Sequence, residues 1–230
     1  MKIIKLLYLS ILLSISCIAH SQQSVFKKIL GKENNNTLNV MLDDLENNIL
    51  KSKYPNLTLK KAYKQLLNDI ANGTTFIEEV RSKKIKTLFD QSNLKKQIYC
   101  LPDSVYVGPS KYASNKDRKA VITIFKCISS DNEVSKTRAE FYGIEKNGNL
   151  KKTIEHARNS DQLNLTGSFF KALKATKNKS VYLKKHLAFA ENMGDVRHPT
   201  ITCEILLKEN SDLTNFIIKR LILVYILYRY

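Results

Sequence analysis

Beyond the first twenty-one positions, the residues best suited to chemistry are Cys100, Cys127 and Cys203 together with His156, His186 and His198. A thiol beside an imidazole makes a nucleophile and its base, and Cys203 with His198 of Asp195-Val196-Arg197-His198 is the pair that could supply one. His156, in Glu155-His156, follows an expected hairpin, and turns often carry catalytic groups. Neither histidine has a flanking signature, and an isolated turn histidine is ordinarily solvated. No catalytic residue is assigned.

Metal and cofactor chemistry find no better footing. No two Cys or His stand at ligand spacing on adjacent turns, and Gly-rich phosphate loops, EF-hand loops, heptads and internal repeats are missing from the sequence. No metal and no cofactor are expected. For Cys127 and Cys203, on predicted strands, a small buried thiol is the ordinary role. In an oxidising compartment two of the three cysteines would pair and one would be left over, and nothing in the sequence selects the pair. Five Asn-x-Ser/Thr sequons, at Asn35, Asn56, Asn72, Asn164 and Asn178, arise by chance in so Asn-rich a chain.

The 230 residues fit one or two domains, and 43% hydrophobic content suits a globular chain. A net charge of +17 invites polyanions, which Lys and Arg bind largely by releasing counterions. Yet only seven of the 38 basic residues are Arg. Lys is a hydrated point charge, whereas the Arg fork grips an oxyanion with two hydrogen bonds. A compositionally biased, solvated surface therefore competes with selected polyanion binding.

Residues 1–21 resemble a bacterial export signal: basic Lys2 and Lys5, an apolar run Leu6–Ile18, and small residues at Ala19-His20-Ser21 before Gln22. The run is too short for a comfortable membrane span of roughly 20 residues. Cleavage after Ser21 is expected. The alternative is a lipoprotein anchored through Cys17, since Ser14-Ile15-Ser16-Cys17 resembles a lipobox, although Ser14 stands where that box carries Leu.

Residues 22–36, ending in Asn34-Asn35-Asn36, are expected to be a polar linker. Over 37–97 the period becomes helical. Leu38, Met41, Leu42, Leu45 and Ile49 make one stripe after Thr37, and Leu59, Ala62, Tyr63, Leu66, Leu67 and Ile70 a second, between Thr58 and Gly73. Phe76, Ile77, Val80, Ile85, Leu88 and Phe89 make a third. Lysines decorate all of them, but an exported chain does not meet genomic DNA, so nucleic acid is not expected as a partner.

Residues 98–230 are expected to form an antiparallel β-rich unit. Ala120–Ser130 is apolar on both faces, the signature of a central strand. Residues 98–117 look irregular apart from a short extended piece, Ser104–Val107. Asp131-Asn132 marks a turn, Arg138–Glu145 a second strand, and Asn147-Gly148 a tight hairpin that should return Leu150–Ile154 as its partner. A short helix is expected within 162–175. Val181–Phe189 and Ile201–Leu207 alternate apolar and polar residues, as half-exposed strands do. The end, 212–230, suits a helix capped by Ser211 or Asp212, yet is almost equally good strand material.

The expected fold is α+β: a helical unit of three to four helices, then a mainly antiparallel sheet with a C-terminal helix or strand. The expected function is that of an exported envelope or extracellular protein, secreted or periplasmic, with a basic surface and no enzymatic activity. Its partner would be an anionic envelope polymer, lipid headgroups or another protein, with peripheral membrane contact. A secreted hydrolase using a turn histidine is the alternative.

Overall fold

A computed structural model describes residues 22–112, 119–141, 150–176 and 180–229. The fold is α+β, with helices preceding a four-stranded antiparallel sheet and further helices following it. Two compact units divide the described residues: 22–92, 172–189 and 197–229 form a helical unit, and 93–171 with 190–196 form a sheet unit. No helix among the described residues is long and apolar enough to cross a membrane.

The helical unit opens with α1 (residues 22–30) and α2 (Lys32–Asp43), and α2 runs on through a π-helical stretch, Asp44–Leu50, into α3 (Lys51–Lys53). The expected linker is therefore helix, and its asparagines explain why. Gly31, at φ 84°, breaks the chain between α1 and α2 in a conformation glycine adopts without strain. Asn34 Nδ2 donates to Leu30 O at 3.0 Å, and Asn35 Nδ2 donates to Lys27 O at 2.7 Å and to Gly31 O at 2.6 Å. Lys27 O and Gly31 O already accept from Gly31 N–H and Asn35 N–H, and the Asn35 amide gives each a second donor.

Helix α4 (Leu59–Ala71) buries the stripe Ala62, Tyr63, Leu66, Leu67 and Ile70, and Gly73, at φ 68°, ends it in the left-handed conformation. The third stripe divides into a 3₁₀ turn, Ile77–Val80, and α5 (Lys83–Gln91), where Ile85 N–H donates to the Ser82 cap at 3.2 Å. Most of α8 (Ser168–Thr176) and α9 (Val181–Met193) belongs to this unit, with α10 (Pro199–Lys208) and α11 (Phe216–Leu221). A π-helical stretch, Ile222–Leu227, follows α11 directly. The C-terminal segment is thus a helix, capped by Asn215 rather than Ser211 or Asp212: Ile217 N–H donates to its Oδ1 at 2.9 Å.

In the sheet unit, α6 (Asn93–Ile98) leads into β1 (Tyr99–Pro109), and β2 (Lys119–Ile128), β3 (Val134–Phe141) and the two-residue β4 (Gln162–Leu163) complete a sheet ordered β3-β2-β1-β4. The apolar run is the central strand, as its two-faced pattern requires: Ala120, Val121, Ile122, Phe125 and Cys127 are all buried. The stretch 98–117, expected to be irregular, instead yields β1, eleven residues long. Its register against β2 shifts between Pro102 and Ser104, a bulge that accommodates Pro102 beyond the two residues paired with β4.

Three further expectations are corrected. Strand β3 begins at Val134, four residues earlier than Arg138, after a turn in which Asn132 holds φ 65°. Leu150–Ile154 is no hairpin return strand but the start of α7 (Leu150–Asn159), which packs on β1 and β2; Asn147-Gly148 lies outside the described residues. Val181–Phe189 and Ile201–Leu207 are helical, within α9 and α10.

A polar clamp closes the sheet unit. Asn164, buried, donates from Nδ2 to Ile128 O at 2.7 Å and to Lys96 O at 3.0 Å, so this sequon is occupied by the fold. Gln97 Oε1 accepts from Ser168 N–H at 2.7 Å. Backbones approach so closely here that a Cβ on Gly167 would meet Gln97 O at 2.1 Å.

The sheet also selects the cysteine pair. Leu101 faces Lys126 across the β1–β2 ladder, so Cys100 and Cys127 are the next opposed residues; they are bonded, with Cα atoms 4.3 Å apart, and buried with Phe125. Cys203 is the leftover, free and buried. Replacing Cys100 and Cys127 by Ser is expected to cost about 3 kcal/mol, because the bond closes a loop of 27 residues' separation in the unfolded chain. Urea denaturation of oxidised protein and double variant measures it; equal midpoints would show that these thiols are not joined.

Candidate functional site

The histidines and thiol singled out in the sequence do not converge on a catalytic arrangement. His156 lies on α7 rather than in a turn, exposed, with its ring edge-on to Phe141 at 5.6 Å. His198 is exposed at the position before Pro199, which opens α10 where its missing N–H costs nothing. Cys203 faces inward from α10, and burial pushes its thiol up to about 12. Such a thiol is a poor source of thiolate at neutral pH. Among the described residues no group of three or more His, Cys, Asp or Glu is placed to hold a metal ion.

The residue that sequence periodicity missed is His186. As a strand, 181–189 would turn His186 to water with Tyr182 and Lys184. As helix α9 it buries Tyr182, Leu183, His186, Leu187 and Ala190, and leaves Val181, Lys184 and Lys185 exposed. The same exchange of periods on α10 buries Pro199, Thr202, Cys203 and Leu206. Counting His186 among the apolar positions would have exposed the helical repeat, since 182, 183, 186, 187 and 190 fall on one face.

His186 is only 2% exposed. Its ring stacks on Tyr182 (5.7 Å, 29°) and on Tyr225 (5.2 Å, 28°), both within the helical unit. Nδ1 lies 3.5 Å from the Tyr182 hydroxyl, and Nε2 has no hydrogen-bond partner among the described residues. Burial, and secondarily the Arg197 charge, lowers its pKa to about 4. At neutral pH the imidazole is uncharged.

Beside it lies a cavity of about 500 Å³ whose charged walls are Lys185, Arg197, Lys208 and Glu209. Lys185 Nζ pairs with Glu209 Oε1 at 2.6 Å. The Arg197 guanidinium lies over the Phe189 ring at 4.0 Å. A second hollow of about 510 Å³ shares Tyr182, Lys185 and Glu209 with the first. The larger hollow beside α7, about 810 Å³, is lined among the described residues by that helix alone and gathers no convergent set of groups.

No protein-family model, curated protein or solved structure matches the chain.

The imidazole makes stability pH-dependent. An unfolded histidine titrates near 6.5 and His186 in the fold near 4, so between these values the unfolded chain binds a proton that the folded chain excludes. This contribution is fully present above about pH 6.5 and declines as the pH falls toward 4, by on the order of 3 kcal/mol. Urea unfolding from pH 7 to 4 is expected to show the decline, and His186→Leu to flatten that part of the profile. Identical pH dependence in the two proteins would mean that His186 does not remain neutral in the fold.

Proposed function

We propose that this is an exported protein of the bacterial envelope or exterior that acts by binding rather than catalysis, through a lysine-rich surface that meets an anionic polymer or lipid headgroups. The observation that carries this reading is the outer face of α4, where Lys60, Lys61 and Lys64 are exposed and form no ion pair among the described residues. Lys83 and Lys84 add the same character to the first turn of α5. Unpaired, hydrated ammonium groups favour tolerant, salt-sensitive association with polyanions over recognition of one geometry.

Export is supported by the leader and by the Cys100–Cys127 bond, since disulfides persist in oxidising compartments and are rare in the cytosol. The hydrolase alternative has less to support it, because His156 and His198 are exposed with no nucleophile beside them among the described residues, and the Cys203 thiol is buried.

Full chain applied to heparin or to phosphatidylglycerol vesicles is expected to be retained at low salt and released at high salt. Lys60→Glu, Lys61→Glu and Lys64→Glu together are expected to abolish retention. Retention indifferent to salt would refute the electrostatic contact. N-terminal sequencing is expected to place the exported chain's start at Gln22, and recovery of intact protein from the cytosol would remove the export half of the proposal.

A further inference from the structure

The His186 cavity has features that the lysine surface lacks. Its volume of about 500 Å³ falls within the range of small-molecule sites. Tyr182 and Ile205 give it an apolar wall. Glu209 is engaged by Lys185, while Arg197 and Lys208 form no ion pair among the described residues. Two cations are thus left without a carboxylate. The Arg197 guanidinium lies over the Phe189 ring at 4.0 Å, and a planar fork seated on a ring suits an oxyanion better than a freely rotating ammonium does.

His186 adds a hydrogen-bonding atom without adding charge. Its Nδ1 lies 3.5 Å from the Tyr182 hydroxyl, and which of the two carries the proton between them follows the tautomer. Nε2 is itself buried and has no hydrogen-bond partner among the described residues.

We propose that the cavity lined by Tyr182, His186, Arg197, Ile205 and Lys208 binds a phosphate monoester, with the phosphoryl group between Arg197 and Lys208 and the organic part against Tyr182 and Ile205. A phosphoryl group near neutral pH carries about −1.5 to −2, which matches two uncompensated cations. A single carboxylate or sulfate ester would balance only one. This site differs from the α4 surface, and the two succeed or fail independently.

The test is calorimetric titration of the full chain with phenyl phosphate, with phenyl sulfate as the monoanion of similar shape. Saturable phenyl phosphate binding is expected, with phenyl sulfate about tenfold weaker or worse. Arg197→Ala and Lys208→Gln are each expected to weaken the phosphate by about tenfold or more, the scale of one charge-assisted contact. Lys208 is exposed, so Lys208→Gln keeps the test valid even if Arg197→Ala perturbs folding. The Lys60/Lys61/Lys64 charge-reversal variant is expected to bind phenyl phosphate unchanged. Vesicles containing phosphatidic acid, offered to the Lys60/Lys61/Lys64 charge-reversal variant so that the α4 surface does not hold them, form the second arm: binding lost on adding Lys208→Gln assigns the monoester to a lipid headgroup, and binding of the soluble ester alone assigns a free metabolite. No heat with phenyl phosphate, equal affinity for the sulfate, or an unaffected Lys208→Gln variant would each overturn the proposal.

Discussion

Eight consecutive residues, Leu221 to Tyr228, are each 2% exposed or less, and the helical unit is organised around covering them. A helix apolar all round has no face that water tolerates, so it must be enclosed on every side. Helix α10 and the 3₁₀ turn Ile77–Val80 pack on it, and Phe89 meets Tyr228 edge-on at 5.9 Å. At roughly 1.5–3 kcal/mol for each large side chain removed from water, this one segment contributes more than ten kcal/mol, an upper estimate because the unfolded chain is partly collapsed. Its last turn is wide as well as buried: Tyr228 N–H donates to Leu223 O at 3.1 Å, five residues back.

That segment also positions the cavity. Tyr225 stacks on His186, and Arg229, directly after the buried run, donates from its guanidinium to Arg197 O at 3.4 Å. One flank of the site therefore rests on the most deeply buried element of its unit. The charges that precede the run are accommodated separately. Lys219 Nζ reaches Glu46 Oε1 at 2.7 Å, where the Tyr63 hydroxyl also donates at 2.9 Å. Arg220 covers the Phe216 ring at 3.5 Å and donates to Asn39 Oδ1 at 2.7 Å. Burial lowers the Arg220 pKa to about 10, so the guanidinium remains charged at neutral pH.

How much of this the sequence reveals depends on whether a pattern has one solution. Ala120–Ser130 is legible because a short run apolar on both faces, rich in β-branched residues, fits a central strand and little else. The stripe of α4 is legible because Thr58 and Gly73 bracket it. Val181–Phe189 misleads because alternate residues are apolar in both directions of argument: the odd positions suggest a strand, while the burial of Tyr182 and His186 belongs to a helix. Polar residues whose partners are distant in sequence or on the next turn are the least legible. Asn34 and Asn35 look like linker until α1 offers carbonyls to bond. Asn164 looks like a loop sequon until Ile128 and Lys96 present theirs. The cavity falls in this second class, since Lys185, Arg197 and Lys208 converge only once α9 and α10 are helices.

The division of labour between the two basic residues follows from the same geometry. Arg138 bonds Glu140 at 2.7 Å and Pro109 O at 3.2 Å; Arg197 and Arg220 lie over aromatic rings; Arg229 and Arg81 reach backbone carbonyls. The Arg138 contact with Glu140, made through Nε and a terminal nitrogen together, uses the multiply donating fork, which an ammonium cannot reproduce. Lys60, Lys61, Lys64, Lys83 and Lys84 instead stand in solvent, where a compact hydrated charge is sufficient. Lysine also makes directed contacts, Lys185 with Glu209 and Lys219 with Glu46, so the contrast lies with the exposed lysines of α4 and α5, which supply a diffuse surface potential. Arg197 stands out in this scheme. Its guanidinium lies over the Phe189 ring at 4.0 Å, and among the described residues it has no carboxylate to hold.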